Sequence, residues 1–180
     1  PSGLERFEAF TRRLQGVRQL YILGDLFEYW IGDDSAEPLG LTGVCTALKR
    51  LHDSGTEITL MTGNRDFLSG QDFCKNTGCH LLPEPAEEDI SGYRILLQHG
   101  DKLCTDDISH QQHRATVDDP LWRESFLNKS FSQRHSIAQA GRSLSESGKR
   151  YQSADIMDVN QTAVEKALLN SRCSLLIHGH

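Results

Sequence analysis

Four side chains able to bind a metal ion lie at widely separated points of this 180-residue chain, each shortly after an apolar segment. They are one carboxylate, one amide oxygen and two imidazoles, namely Asp25, Asn64, His99 and His180. A mixed oxygen and nitrogen donor set is typical of sites for Mn²⁺, Fe²⁺ or Zn²⁺, and the lack of thiolates among the four disfavours a structural zinc site. Glycines beside them allow sharp turns of the backbone and the close approach of a phosphate.

Each of these residues also has an ordinary structural interpretation. A Gly-Asp pair after a strand is a common turn, and an Asn that follows Gly usually shapes a turn as well. A single histidine is more often a hydrogen-bonded polar residue than a metal ligand. Four such residues in this order and context are much less expected by coincidence, so we treat them as a candidate site.

The apolar segments that precede the four residues predict buried strands. We expect the strands at 19–23, 57–61, 93–98 and 173–177, and amphipathic helices at 4–14 and 41–51. Strands that alternate with helices indicate an α/β core with an at least partly parallel sheet. Ligands of α/β proteins bind at the C-terminal ends of the strands, so the four polar loops are expected to converge.

The segment between residues 104 and 160 has no convincing strand pattern. Its apolar residues are spaced among basic and small polar residues, which predicts two or three amphipathic helices. We therefore expect a single domain over residues 1–180, with a helical cap inserted at 105–155.

The composition excludes several classes of protein. No apolar run approaches the about 20 residues needed to cross a bilayer, and no charged-then-apolar leader stands at the start. Five cysteines, an odd number without a close pair, favour buried thiols in a reducing cytoplasm. The formal net charge of −6 argues against a general nucleic-acid surface. Residues 120–152 differ from the rest, because six Lys and Arg against two acidic residues give them a charge of +4.

Four short strings resemble, in their order along the chain, the signature of the calcineurin-like metallophosphoesterases. They are Gly24-Asp25, the string GNRD at 63–66, the string HGD at 99–101, and Gly179-His180. The resemblance implies a β-sandwich flanked by helices, with two metal ions that share Asp25. One ion would be held by Asp25, Asn64, His99 and His180. The other would use an opening D-x-H strand and a last histidine of GHxH, both of which we expect to lie outside these 180 residues.

Longer strings narrow the resemblance to one subfamily. GDLFEYWIGDD at 24–34, GNRDFL at 63–68, HGDKLCTDD at 99–107 and IMDVN at 156–160 resemble the UDP-2,3-diacylglucosamine hydrolases of lipid A biosynthesis. The resemblance implies hydrolysis of the pyrophosphate to UMP and 2,3-diacylglucosamine 1-phosphate, with Mn²⁺ as the usual metal. It also implies a peripheral protein on the cytoplasmic side of the bacterial inner membrane, whose partners are the acylated substrate and the membrane surface. No nucleic acid and no obligate protein partner is expected.

The same resemblance assigns roles to individual residues. Catalytic roles fall on Asn64, Arg65 and His99. Substrate contacts are implied for Asn64, Arg65, Asp107, Ser145, Lys149, Gln152 and His180; of these, Ser145 matches the family pattern, whereas Lys149 and Gln152 depart from it. A permanently charged, forked guanidinium is suited to grip a phosphate. Two alternatives stay open: Arg65 as a member of a surface salt bridge, and Asp106-Asp107 as a helix N-cap.

The apolar residues of the cap also have two interpretations. Lining of an acyl-chain groove and ordinary packing explain them about equally well; they are Trp122, Phe126, Phe131, Ile137 and Leu144. Likewise, the charge of +4 suits either an anionic bilayer surface or a solvated face. Two other functions remain as alternatives: a related phosphoesterase acting on a soluble dinucleotide or phosphoprotein, and a non-catalytic membrane-associated remnant.

Overall fold

The computed structural model describes residues 2–149 and 158–180. The chain divides into two compact units, Pro1–Pro83 and Glu84–His180. Each unit has its own three-stranded sheet and its own helices, so the α/β class predicted from the sequence is confirmed. Among the described residues, no helix is both long and apolar enough to span a membrane.

The first unit is built on a parallel sheet in the order β1-β2-β3. Its strands are β1 (Gln19–Leu23), β2 (Glu57–Met61) and β3 (Cys79–Leu82), and its helices are α1 (Gly3–Arg13), α2 (Thr42–Asp53) and α3 (Gln71–Thr77). Leu23 pairs with Met61 in the register of β1 and β2. The two strands therefore end side by side, and the loops that carry Asp25 and Asn64 start from neighbouring positions.

The core of the first unit lies between the sheet and its helices. Apolar side chains of β2 and α2 are completely buried, among them Leu48, Ile58 and Leu60. Beyond β1, Phe27 and Trp30 stack with ring centroids 4.7 Å apart, and both rings meet Phe73 of α3. Burial of the Phe27 and Trp30 rings removes the apolar surface of this loop from water and fixes the loop against α3.

Asp33 provides the N-terminal cap that α3 lacks in its own sequence. The residue before α3 is Gly70, which has no side chain to accept hydrogen bonds. The Asp33 carboxylate instead accepts the backbone N–H groups of Gly70, Asp72 and Phe73 at 2.9–3.0 Å. It also accepts the indole N–H of Trp30 at 3.1 Å. One side chain therefore joins the loop after β1 to the start of α3.

The second unit has a mixed sheet in the order β4-β5-β6. Its strands are β4 (Ala86–Ile90), β5 (Tyr93–Gln98) and β6 (Leu175–His178), and its helices are α4 (Ile108–Asp118), α5 (Pro120–Leu127), α6 (Phe131–Lys149) and α7 (Gln161–Asn170). The β4-β5 pair is antiparallel, whereas β5 and β6 are parallel with Gln98 opposite His178. The loops with His99 and His180 therefore leave the sheet side by side.

The predicted elements agree with the structure where an apolar run ends in a turn signal. The predicted bounds of β1, β2 and β5 are confirmed, while β6 is displaced to Leu175–His178 from the predicted 173–177. Strands β3 and β4 were not predicted, because one has four residues and the other is the acidic sequence AEEDI at the sheet edge. Helices α4, α5 and α6 confirm a helical segment after Cys104, and no strand occurs there within the described residues up to 149. Their role as a cap of a single domain stays a prediction.

Candidate functional site

Asp25 stands at a sharp turn directly after β1. Gly24 and Asp25 both have left-handed backbone conformations, with φ angles of 86° and 53°. Aspartate is one of the few residues that tolerate this region, and non-glycine residues in it are frequent at functional sites. The carboxylate of Asp25 accepts the backbone N–H of Arg65 at 3.0 Å and lies 3.4 Å from its Nε. The first unit thus brings Asp25 next to the Asn64-Arg65 pair.

Asp66 holds the two loops of the first unit together. Its buried carboxylate accepts the backbone N–H of Leu26 at 2.7 Å and that of Gly63 at 2.6 Å. Burial raises the pKa of Asp66; the two N–H groups oppose this effect, and the negative charge of Asp25 adds to it. The backbone N–H of Trp30 also donates to the carbonyl of Arg65, at 2.9 Å. No role was predicted for Asp66, although its place in the GNRD string was a signal.

Arg65 forms ion pairs on the surface of the first unit. Its Nη1 lies 2.7 Å from Glu28 Oε2, and its Nε contacts Asp25. The salt-bridge interpretation of Arg65 is therefore confirmed. The side chains of Arg65 and Glu28 are 41% and 63% exposed, and such exposed pairs contribute at most about 1 kcal/mol. This weak pairing does not exclude the predicted phosphate contact, which stays a prediction.

His99 and His180 lie together in the second unit. The carbonyl of His99 accepts the backbone N–H groups of Gly179 and His180, both at 2.8 Å. The ring centroids of the two histidines are 5.4 Å apart, and each offers a ring nitrogen within 4.8 Å of the other. Ligand nitrogens lie about 2.0–2.1 Å from a bound transition metal, so small side-chain rotations would place both imidazoles on one ion. This pair is a possible metal-binding group of the second unit.

The backbone between β5 and α4 requires glycine at position 100. Gly100 has a φ angle of 114°, which side chains of L-amino acids rarely adopt. A Cβ atom at this position would also lie 2.9 Å from His178 Nδ1. Glycine therefore satisfies both the turn that follows His99 and the close approach of His178 at the end of β6.

A network of buried charges lies beneath the histidine pair. Asp101 is fully buried and contacts His110 Nε2 at 2.8 Å and Arg114 Nε at 2.9 Å. Burial by itself would raise the pKa of Asp101, but the hydrogen bond of His110 and the charge of Arg114 outweigh it and lower the pKa. The ring of His110 in turn stacks on that of His180, with centroids 6.2 Å apart. Sequence reasoning missed His110 and Arg114, since helical periodicity does not show which polar residues of a helix are buried.

Asp107 begins α4. Its carboxylate accepts the backbone N–H of His110 at 2.9 Å, so the N-cap interpretation is confirmed, and a substrate contact stays a prediction. Asp106 accepts a hydrogen bond from the side chain of Asn160, which also caps α7 by accepting the N–H of Ala163. The predicted substrate residues Ser145, Lys149 and Gln152 lie outside the residues whose side chains the structure describes.

The apolar residues of α4 to α6 divide into buried and exposed sets. Phe126 is buried and stacks on the half-buried Trp122, with ring centroids 4.9 Å apart, so Phe126 packs as an ordinary core residue. Other apolar side chains point to solvent: Ile108, Leu121, Leu127 and Ile137. Leu121 is the most exposed of them, at 73%. The exposed set is thus available for contact with an apolar ligand, while Leu144 lies outside the side chains described.

Comparison with known proteins relates the whole chain to one group of enzymes. No family model matches the chain. A UDP-2,3-diacylglucosamine hydrolase of Aromatoleum aromaticum is 45% identical over 100% of this chain and 74% of its own length. The chain belongs to the UDP-2,3-diacylglucosamine hydrolase family. Relatives of the same name in Nitrosococcus oceani and Stenotrophomonas maltophilia are 48% and 41% identical, over 89% and 100% of this chain.

The resemblance that the sequence strings indicated is therefore confirmed. The chain spans 64% of the Nitrosococcus oceani hydrolase and 77% of the Stenotrophomonas maltophilia hydrolase. Of the residues that the family resemblance singles out, the first unit brings together Asp25, Asn64 and Arg65, and the second unit brings together His99 and His180. A hydrolase of this family thus carries its candidate metal ligands on loops that directly follow β1, β2, β5 and β6.

Replacement of Arg114 by methionine should strongly destabilise the protein. Arg114 is buried, and it also lies 3.7 Å from Asp118 and 3.9 Å from Glu84. Its loss would leave Asp101 as a buried carboxylate without its cation, which costs about 3–5 kcal/mol. The free energy of unfolding in urea measures this effect. Arg94→Met is the matched control, because Arg94 forms an exposed pair with Glu87 that contributes at most about 1 kcal/mol. Equal effects of the two substitutions would contradict the network.

Proposed function

We propose that this chain hydrolyses the pyrophosphate bond of UDP-2,3-diacylglucosamine to UMP and 2,3-diacylglucosamine 1-phosphate, a reaction of lipid A biosynthesis. The observation that carries the proposal is the relationship to hydrolases named for this substrate, at 41–48% identity over most of the chain. The candidate residues agree with it in chemical type. Metal ligands and a fixed cation on strand-end loops are what hydrolysis of a phosphoric anhydride requires.

The metal proposed for this reaction is Mn²⁺, bound by Asp25, Asn64, His99 and His180. The proposal rests on the family and on the donor set, whose carboxylate, amide oxygen and imidazoles suit a first-row transition metal. A second ion would share Asp25. When bound, such ions polarise a phosphoryl oxygen and lower the pKa of a coordinated water towards 7. The geometry within each unit fits this role, because Asp25 is fixed by Arg65 and His99 by the loop of His180.

Arg65 is proposed to bind the phosphates of the substrate. The guanidinium is held close to the proposed ligand Asp25, and its other partner is the exposed Glu28. A phosphate carries more charge than the Glu28 carboxylate and accepts a bidentate pair of N–H groups, so it competes well for the guanidinium. As negative charge grows on the phosphoryl oxygens during attack by water, this fixed cation stabilises it.

The exposed apolar surface of α4 to α6 is proposed to bind the acyl chains. Leu121 and Ile137 are exposed and lie within the segment 120–152, whose charge is +4. Apolar side chains beside basic residues are suited to a lipid with an anionic head group and to the anionic surface of a membrane. We therefore propose that the protein acts as a peripheral protein at the cytoplasmic face of the inner membrane, where its acylated substrate resides.

Arg65→Ala should lower turnover by about 10²–10³-fold, because it removes one preorganised contact to the developing charge. The metal content should stay unchanged, since the side chain of Arg65 is not a proposed ligand. Arg65→Lys should recover part of the activity, because it keeps the charge and loses the fork. Release of UMP from UDP-2,3-diacylglucosamine measures turnover, and elemental analysis measures the metal.

Arg50→Ala, at an exposed arginine of α2, is the matched control and should retain full activity. Unchanged turnover in Arg65→Ala would contradict the assigned role.

The same assay, with a dinucleoside polyphosphate in place of the acylated UDP-sugar, tests the identity of the substrate. Faster cleavage of that soluble nucleotide than of the acylated sugar would contradict the proposed substrate.

Leu121→Ser should weaken binding of the acylated substrate while its turnover at saturation is kept. Burial of a leucine side chain by an acyl chain contributes about 1.5–3 kcal/mol, so KM should rise by roughly tenfold or more. KM for the UDP-sugar without acyl chains should not change. Leu169→Ser, at an exposed leucine of α7, is the control. A KM that is unaltered for both substrates, or raised equally for both, would show that this surface does not bind the acyl chains.

A further inference from the structure

Glu84 lies at the start of the second unit, fifteen residues before His99. Its side chain is only 9% exposed. One carboxylate oxygen, Oε1, accepts the backbone N–H of His99 at 2.7 Å and that of Gly100 at 3.2 Å. Both donors belong to the turn that directly follows β5. The side chain therefore satisfies two backbone groups of a buried turn, whose pairing burial requires.

The other carboxylate oxygen of Glu84 faces the buried charges. Its Oε2 lies 3.6 Å from Lys102 Nζ and 3.9 Å from Arg114 Nη2. These distances are those of ion pairs without a direct hydrogen bond. Because the cations compensate the charge through Oε2, Oε1 remains directed at the turn. A neutral side chain of the same shape would lose the attraction to these two cations. A shorter side chain would also lose both hydrogen bonds to the turn.

The peptide groups on both sides of His99 are thus fixed by hydrogen bonds. Glu84 receives the N–H, and the carbonyl receives the N–H groups of Gly179 and His180. Gly100 follows with a φ angle of 114°, a conformation that its neighbours must hold in place. The orientation of the imidazole of His99 towards His180 depends on this backbone, because only two side-chain torsions separate the ring from it.

We propose that Glu84 is a positioning residue for metal binding: its carboxylate fixes the backbone of His99 so that the two imidazoles keep the spacing that one ion requires. The inference rests on the proposed metal site and concerns residues of the second unit only. Removal of a partner that orients a metal ligand typically lowers the metal affinity by about 10–100-fold. Glu84 acts on the backbone of the ligand residue rather than on its ring, and this distinguishes it from the usual partner of a ligating histidine.

The test measures Mn²⁺ affinity by isothermal titration calorimetry in three variants. Glu84→Ala should weaken Mn²⁺ binding by about 10–100-fold. Glu84→Gln keeps a carbonyl oxygen that is able to accept one of the two N–H groups, so it should recover most of this loss and still fall short of the unsubstituted protein. Glu87→Gln is the control and should bind Mn²⁺ normally, since Glu87 lies in β4, three residues after Glu84, and pairs with Arg94 of β5.

A second readout examines the metal-free protein. The amide proton resonances of His99 and Gly100 should move upfield in Glu84→Ala, because a hydrogen bond to a carboxylate shifts an amide proton downfield. If Glu84→Ala does not fold, the affinity and the two resonances of Glu84→Gln decide the question. Affinity and resonances that equal those of the unsubstituted protein would overturn the inference.

His99→Gln separates this inference from the proposed function. If His99→Gln weakens Mn²⁺ binding while Glu84→Ala does not, the metal site is supported and the positioning role of Glu84 is wrong. If His99→Gln leaves Mn²⁺ binding unchanged, the proposed ligand set is wrong, and the positioning role fails with it. Weakened binding in both variants, with the resonance shifts described, supports both.

Discussion

Carboxylates that accept backbone N–H groups from distant loops are the interaction on which both units depend. The loops after the strands carry the candidate ligands, and several of their backbone N–H groups donate to side-chain carboxylates. Asp66 receives N–H groups from the loops after β1 and β2, and Glu84 receives those of the loop after β5. Asp33 does the same at the start of α3. Charge-assisted hydrogen bonds of this kind are roughly twice as strong as neutral ones, so they suit turns that must be rigid.

Burial disfavours the charged form of a carboxylate, and the two units differ in whether neighbouring groups outweigh this effect. In the first unit, burial dominates at Asp66 and raises its pKa despite the two N–H groups that it accepts. In the second unit, Arg114 and His110 reverse the effect of burial at Asp101, and the pKa falls. The neighbours differ, because Asp101 gains the hydrogen bond of His110 and the charge of Arg114, whereas the charge of Asp25 adds to the effect of burial at Asp66. A buried cation and its carboxylates depend on each other, and the loss of either leaves the other uncompensated.

The sequence allowed prediction of the features that are local. The bounds of β1, β2 and β5 follow from apolar runs that end in glycine-containing turns, and the family follows from strings of five to eleven residues. Strand β4 was missed because an acidic edge strand has the composition of a loop. The roles of Asp33, Asp66, Glu84 and Arg114 were missed for another reason. Each is defined by a partner that only the fold brings near, 40 residues away for Asp66 and Leu26.

The proposed hydrolysis depends on Mn²⁺ binding by the ligands on the strand-end loops, and Mn²⁺ titration of two single variants measures that binding. Asp25→Asn removes a proposed ligand of the first unit, and His99→Gln removes one of the second. We expect each substitution to weaken Mn²⁺ binding by more than about tenfold, the lower limit for loss of a partner outside the ligand set. Unchanged Mn²⁺ binding in either variant would contradict the proposed ligand set.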